Sequence, residues 1–166
     1  MLIVLATNEE FECASKYFKD YKIIKTGVGN TNVISSLVNE NKDQTIINIG
    51  YAGSNFLPVG EVVKVARSYN FNHPKNVEID CKFHGFILDK EGVDCYTSSD
   101  FVLSCDLKEP VVFDMELNTI IALGFRKVIS YKIVSDNLNI EEYESFNEAE
   151  VWQELVSKID KEVNDN

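Results

Sequence analysis

Five places along the chain put proton-carrying groups, or backbone able to lie against a ligand, directly after an apolar run. They are Glu9-Glu10, the turn Thr26-Gly27-Val28-Gly29-Asn30, the turn Gly50-Tyr51-Ala52-Gly53-Ser54, Asp114-Met115-Glu116, and Ser135-Asp136. A carboxylate so placed can serve as a base when ionised and as an acid when protonated, and glycine lets main chain approach a bound molecule. Each also has a plainer explanation. Glu9 and Glu10 suit the first turn of a helix, Asp114 a helix N-cap and Asp136 a turn, while TGVGN lacks the full GxGxxG fingerprint. Their common position sets them apart, because ligands of open α/β sheets collect at the carboxyl ends of strands.

The elements that must position these groups follow from hydrophobic periodicity. Met1 to Ala6 is an apolar run too short for a helix and reads as a buried strand, followed by a helix carrying Phe11, Ala14, Tyr17 and Phe18. Tyr21 to Lys25 is a second strand, and Val33, Ile34, Leu37 and Val38 mark one face of a second helix. Thr45 to Ile49 is a third strand, halted by the GYAGS turn. Strands alternating with helices predict a largely parallel central sheet. Glu61 to Ala66 and short apolar runs between Val77 and Val102, broken at Asn72-His73-Pro74 and Lys90-Glu91-Gly92, read as further strands and turns. Val111 to Phe113 is a strand before a helix that ends at Leu123 and is closed by Gly124. Val128 to Val134 is a β-branched buried strand, and a polar acidic loop then runs to Ser145. Val151, Trp152, Leu155, Val156 and Ile159 mark a C-terminal amphipathic helix. The expected architecture is one domain, residues 1–166, with three α/β/α layers around a mixed, strongly curved sheet.

Composition narrows the partners. The chain has 166 residues, 45% apolar and 26% charged, as expected of one globular domain. Sixteen Lys and Arg face 27 Asp and Glu, and the net charge of -11 argues against nucleic acid or an anionic membrane surface as the main ligand. No apolar stretch reaches the roughly 20 residues that span a bilayer, and the N-terminus lacks the features of a signal peptide. Cys13, Cys81, Cys95 and Cys105 form no CxxC pair and read as reduced, buried thiols of a cytoplasmic protein. Cys81, His84, Cys95 and Cys105 fit no zinc ribbon or finger, so no metal is expected.

Taken in order, the blocks ATNEE, TGVGNTN, INIGYAGSNFLPVGEVVKV, TSSDFV, VVFDMELNTI and YKIVSDNLN followed by SF resemble the purine nucleoside phosphorylase and methylthioadenosine/adenosylhomocysteine nucleosidase superfamily. The ATxxE start and compact size are also similar to the futalosine hydrolase branch. The resemblance implies an N-ribosyl hydrolase that releases free base from a purine nucleoside, without a cofactor and as a homodimer.

Residue by residue, the resemblance puts Glu10 where the attacking water is activated and Asp136 where N7 of the leaving purine is protonated. Ser135 falls where Asp136 is oriented, Glu116 where the ribose hydroxyls are bound, and Met115 beside the sugar. Phe101 and Val102 lie in the block whose aromatic ring stacks on the base, and Gly53 belongs to the turn lining the sugar and nucleophile pocket. Such roles fit the chemistry. Anionic neighbours stabilise the oxocarbenium character at the sugar, and the departing base needs a proton, which requires a raised pKa at Asp136.

Departures are also legible. Lys132 stands where the nucleosidases usually have Arg, implying a single-point contact in place of a bidentate one. Tyr51 occupies a usually small position, where it either narrows the pocket or replaces a hydroxyl contact. The chain is shorter than typical members between Ala66 and Phe101, a region that caps the substrate in the family. Only Arg67 and Arg126 are available to hold phosphate, and neither lies in a strand-end motif, which favours water over phosphate as nucleophile. The alternatives are a nucleoside phosphorylase and a catalytically weak nucleoside-binding protein.

Overall fold

A computed structural model describes residues 1–71, 85–147 and 149–164. Strand β1 (Leu2–Leu5) leads into helix α1 (Asn8–Tyr17), β2 (Lys22–Lys25) into α2 (Asn30–Leu37), and β3 (Thr45–Ser54) into β4 (Val62–Asn70). Short strands β5 (Phe86–Ile87) and β6 (Val93–Thr97) follow, then β7 (Val111–Asp114) and α3 (Leu117–Ala122). The chain continues through β8 (Lys127–Asp136), α4 (Ile140–Ser145) and α5 (Ala149–Asn164).

Among the described residues, eight strands belong to one mixed sheet. Strands β2, β1, β3 and β8 run parallel in that spatial order, as strand and helix alternation predicts. The sheet then curls shut. β8 pairs antiparallel with β4, β4 runs parallel to β6, β6 runs parallel to β7, and β7 returns antiparallel to the end of β3. Strands β3, β8, β4, β6 and β7 thus form a closed ring, with β5 on the outer part of β4.

Period-two alternation divides the core into two faces. Leu2, Val4 and Ile46 pack with Val33 and Leu37 of α2 and with Leu117 and Ile120 of α3. Ile3, Leu5 and Ile47 pack with Ala14 of α1, with nearby Phe18, and with Trp152, Leu155 and Ile159 of α5. Those three α5 side chains are almost wholly buried, each contributing roughly 2 kcal/mol of apolar burial. The result is the expected three-layer arrangement, helices on both faces of a curved mixed sheet.

Several local expectations are corrected. Phe11 and Tyr17 of α1 remain 39% and 38% exposed, and Ile34 and Val38 of the second helix also lie at the surface, so the buried stripes are narrower than the apolar spacing suggests. Strand β3 does not stop at Ile49 but runs through the glycine segment to Ser54, and β8 continues past Val134 to Asp136. The acidic loop before Ser145 contains helix α4, begun by Asn139, whose side chain accepts from the Glu141 and Glu142 backbone N–H groups. Cys95 is buried as expected, whereas Cys13 and Cys105 are partly exposed free thiols. Asn72-His73-Pro74, Val77, Cys81 and His84 lie outside the described residues. Among the described residues no helix is long and apolar enough to cross a membrane, and no cluster of three His, Cys, Asp or Glu could hold a metal ion.

Candidate active site

Helix α1 places Glu10. Thr7 is its N-cap, and its Oγ1 accepts the Glu10 N–H at 3.2 Å while Glu10 reaches back as the other half of a capping box. The carboxylate does more than cap. Its Oε2 accepts the N–H groups of Ala6 and Thr7, both at 2.8 Å, and its Oε1 accepts the N–H of Tyr51 in β3, also at 2.8 Å. Three donors occupy three of its four lone-pair directions and leave one on Oε1. A Cβ on Gly50 would lie 2.9 Å from Oε1, so the strand accepts this carboxylate only because residue 50 has no side chain. Glu9, its neighbour, faces solvent in the same helical turn.

Asp136 is positioned by an irregularity between β3 and β8. The register pairs Ala52 with Val134 and then Gly53 with Asp136, leaving Ser135 as the extra residue of a bulge that re-aims the strand end. Oδ1 of Asp136 accepts the N–H groups of Leu138 at 3.0 Å and Asn139 at 3.3 Å, and Oδ2 accepts the Ser135 hydroxyl at 2.7 Å. Here too a glycine makes room, since a Cβ on Gly53 would sit 2.9 Å from Oδ1. Burial pushes the Asp136 carboxyl above its ordinary value, against the opposing effect of its hydrogen bonds with Ser135, Asn139 and Leu138.

Glu116 follows β7 and completes the set. Its Oε1 accepts the Gly29 N–H at 2.8 Å, and its Oε2 accepts the Met115 N–H at 3.3 Å. Gly29 has φ of 90°, a left-handed conformation that suits glycine and turns its amide toward Glu116. Burial, reinforced by Asp114, pushes the Glu116 carboxyl up to about 7, with Lys132 and the Gly29 N–H acting the other way. Asp114 itself accepts from Lys132 Nζ at 2.7 Å, from Thr97 Oγ1 at 2.6 Å and from the Leu117 N–H at 3.0 Å. Lys132 is only 1% exposed. Burial works against its charge, yet Asp114, with Cys95 and Glu116, more than offsets this and holds its ammonium above the usual lysine range.

Glu10, Glu116 and Asp136 face one cavity of about 230 Å³, and Asp114 is a fourth carboxylate in its wall. Gly53, Met115 and Ser135 form part of its wall, Phe101 closes one side, and among the described residues no Lys, Arg or His lines it. Val102 does not line this space but a smaller one of about 30 Å³ beside it, shared with Phe101 and Asp136. Tyr51 is part of the main wall, and its ring packs edge-to-face on Phe146 and Trp152. Its hydroxyl is turned away to accept the Trp152 Nε1–H at 3.2 Å, and burial pushes that phenol up to about 12. The arrangement offers a cavity whose carboxylates have different hydrogen-bond partners, the burial of Asp136 and Glu116 favouring their protonated forms, which suits acid and base chemistry.

No family model matches the sequence, and no curated protein matches it. Solved structures do match in fold. The S-adenosylhomocysteine nucleosidase of Streptococcus pyogenes, in complex with 5-methylthiotubericidin, superposes with a TM-score of 0.74 at 16% identity, covering 96% of this chain and 95% of that one. Futalosine hydrolase of Helicobacter pylori gives 0.71 at 15% identity, over 99% and 97% of the two chains. The 5′-methylthioadenosine/S-adenosylhomocysteine nucleosidase of Neisseria meningitidis, in complex with methylthio-immucillin-A, gives 0.69 at 15% identity, over 90% and 92%. The fold is that of the nucleosidases.

On this nucleosidase fold, Glu10, Gly53, Phe101, Met115, Glu116, Ser135 and Asp136 all reach one cavity from segments far apart in sequence. Sequence reasoning missed Tyr143 of α4, which lines the cavity and packs edge-to-face on Phe101 with ring centroids 5.6 Å apart. Its signal was an aromatic residue one turn after Asn139, hidden by the acidic segment around it. Asp114 was legible as a strand-end acid and as a helix cap, and it does line the cavity and accept the Leu117 N–H; its pairing with Lys132 had no sequence signal beyond a charge within an apolar strand.

Proposed function

We propose that the protein is a purine nucleosidase, hydrolysing the N-glycosidic bond of a nucleoside of the methylthioadenosine, adenosylhomocysteine or futalosine type. The observation that carries this reading is the convergence of Glu10, Glu116 and Asp136 on one cavity, each with its own hydrogen-bonding environment. Water on the free lone pair of Glu10 Oε1 gives a proton to that carboxylate as its oxygen attacks C1′ of the sugar. The C1′–N9 bond breaks, its electron pair passes into the purine, and Asp136 delivers a proton to N7. Burial at Asp136 favours the protonated form that this step needs, and the Ser135 hydroxyl orients the carboxyl. Glu116 accepts the ribose hydroxyls and, when ionised, stabilises positive charge at the sugar, with Met115 beside it. Phe101, with Val102 behind it, and Tyr143 contact the base.

The neighbouring structures named for nucleosidase activity, two with nucleoside analogues bound, support the substrate class. A homodimer with the reduced thiols and location of a cytoplasmic enzyme completes the reading. Phosphorolysis is less favoured. Among the described residues the cavity wall is anionic with no cation facing it, and Arg67 is engaged by Asp94 at 2.7 Å. The test is a panel of methylthioadenosine, adenosylhomocysteine, futalosine, adenosine and inosine, with free base followed by chromatography in phosphate-free buffer. Release of base under those conditions supports the hydrolase. Turnover only with phosphate indicates a phosphorylase, and binding without turnover a nucleoside-binding protein.

A further inference from the structure

The turn that follows β8 is strained, and one side chain holds it. Among the described residues Leu138 is the only non-glycine residue with a positive φ, 61°, a left-handed conformation that a leucine rarely adopts. That conformation has a use. It brings the Leu138 and Asn139 N–H groups together onto Oδ1 of Asp136, at 3.0 Å and 3.3 Å. Strain of this kind persists only where the surroundings hold it. The holding group is Asn137, a surface residue whose carboxamide nitrogen donates to the Leu57 carbonyl at 2.8 Å and to the Ser54 carbonyl at 3.1 Å. Both acceptors are firm, since Ser54 is fully buried at the end of β3 and the Leu57 side chain packs against the core. The same segment grips β8 ahead of the acid, where the Gly60 N–H donates to the Val134 carbonyl at 2.8 Å and the Glu61 carbonyl accepts the Val134 N–H at 2.9 Å. The Asn137 N–H, for its part, donates to Oε2 of Glu142 at 2.7 Å, one residue before Tyr143 of the cavity wall.

We propose that Asn137 is a positioning residue for Asp136: by tying the turn to the segment after β3, it keeps Leu138 left-handed and keeps two backbone N–H groups on the carboxyl that faces the nucleoside. The inference rests on the nucleosidase reading for the task of the acid but not for the geometry. The proton that Asp136 is to deliver explains why a group other than the carboxyl must hold the turn. N–H donors hold a carboxylate more firmly than a carboxylic acid, so the bonds that curl the turn onto Asp136 weaken once the acid is loaded. The Asn137 side chain bonds to two main-chain carbonyls, neutral partners that do not change with that proton. Carboxamide chemistry is specific here. One nitrogen supplies both donors, and an aspartate of the same shape would set its carboxylate against two carbonyl oxygens. Without the tie, Leu138 is free to return to the right-handed or extended region, which turns its N–H and that of Asn139 off Oδ1.

The experiment measures kcat and KM on two substrates: the purine nucleoside turned over in the panel, whose base needs the proton, and p-nitrophenyl riboside, whose nitrophenolate leaves without one. Amide hydrogen exchange, corrected for intrinsic rates, is followed by NMR in the same proteins without ligand. Asn137→Ala and Asn137→Asp are each expected to lower kcat on the purine nucleoside by roughly tenfold or more, with KM and p-nitrophenyl riboside turnover within about threefold of the wild type. Exchange at the Leu138 and Asn139 amides should quicken by roughly tenfold or more, with Ile47 in β3 unchanged. Leu138→Gly supplies the rescue, because glycine takes a positive φ without strain. In that background Asn137→Ala should cost no more than about threefold on the purine nucleoside. A surface asparagine that only stabilises the fold would lower both substrates together and would not be rescued at residue 138. Equal losses on the two substrates, no loss on the purine nucleoside, or unchanged exchange at Leu138 and Asn139 overturns the proposal. Should Asn137→Ala not fold alone, its cost in the Leu138→Gly background decides, and a loss beyond about threefold overturns it. Turnover of neither substrate by any of the proteins would remove the nucleosidase reading and leave the exchange rates to judge the tie.

Discussion

Replacing Glu116 by Gln should make the protein more stable in alkaline solution while it disables the proposed chemistry. Gln keeps the acceptor for the Gly29 N–H but removes a charge that burial opposes. The folded-state carboxyl titrates at about 7 against 4.5 for the free group, so the folded state holds its proton more tightly. Stability from that proton is complete below the unfolded value and is lost as pH rises through the folded one. At about 1.4 kcal/mol per unit, the wild type loses about 3 kcal/mol across this window through Glu116 alone, and the variant loses none of it. An amide facing the Met115 N–H at 3.3 Å returns about 1 kcal/mol of the gain, leaving the variant about 2 kcal/mol more stable near pH 8.5 and close to the wild type near pH 5. Urea unfolding at both pH values measures the difference. kcat/KM should fall by roughly 100-fold or more, because the charge that accepts ribose hydroxyls and stabilises the oxocarbenium is gone. A variant destabilised equally at both pH values would refute the argument from burial, and one within twofold of wild-type activity would reduce Glu116 to a structural acid.

Asp136→Asn should abolish release of a poor leaving base such as adenine, by roughly 100-fold or more, and spare a nucleoside whose aglycone departs without protonation. Glu10→Gln should depress both alike, and equal losses for Asp136→Asn would show that Asp136 supports the site without protonating the base. Gly53→Ala puts a methyl 2.9 Å from Asp136 Oδ1, so kcat/KM should drop by roughly tenfold or more with little change in Tm. Gly124→Ala, at φ of 80° in open space, should instead cost about 1 kcal/mol of stability and leave turnover intact, and a reversed pattern would discard the idea that Gly53 seats the acid.

The glycines also explain how far the sequence could be read. Apolar runs located β1, β2 and β7 and the helices beside them, because period and length carry that information directly. Gly50 and Gly53 read as strand breakers, since glycine in a polar setting ordinarily marks a turn. In the structure they lie inside β3, and the pressure on them comes from Glu10 and Asp136, residues distant in sequence. The strand-end rule therefore nominated the right neighbourhoods while misplacing where β3 and β8 end. Glu10 shows the complementary case. As a first-turn acid it looked ordinary, and it is one, yet the same carboxylate spans to the Tyr51 N–H. Ring closure through β7 and β3 was invisible because it depends on two residue pairs separated by about sixty positions, with no local pattern to announce them.

That closure has a dynamic consequence. β3 and β8 are laced together from Thr45 to Gly53, whereas β3 and β7 meet only at Gly53 with Phe113 and Ser54 with Val112. The join is supplemented by side chains: the Ser54 hydroxyl donates to the Val111 carbonyl at 2.7 Å, and the Asn55 carboxamide oxygen accepts the Val111 N–H at 3.0 Å. A seam so short opens at a lower free energy than the long ladders beside it, and Gly53 and Phe113 are both cavity wall. The molecule should breathe there, admitting solvent to the cavity without unfolding the helical layers. Hydrogen exchange is expected to be faster at the Val111 and Phe113 amides than at Ile47, and a bound nucleoside analogue should slow the seam most. Equal protection at the two places would mean that the ring opens only when the whole fold does.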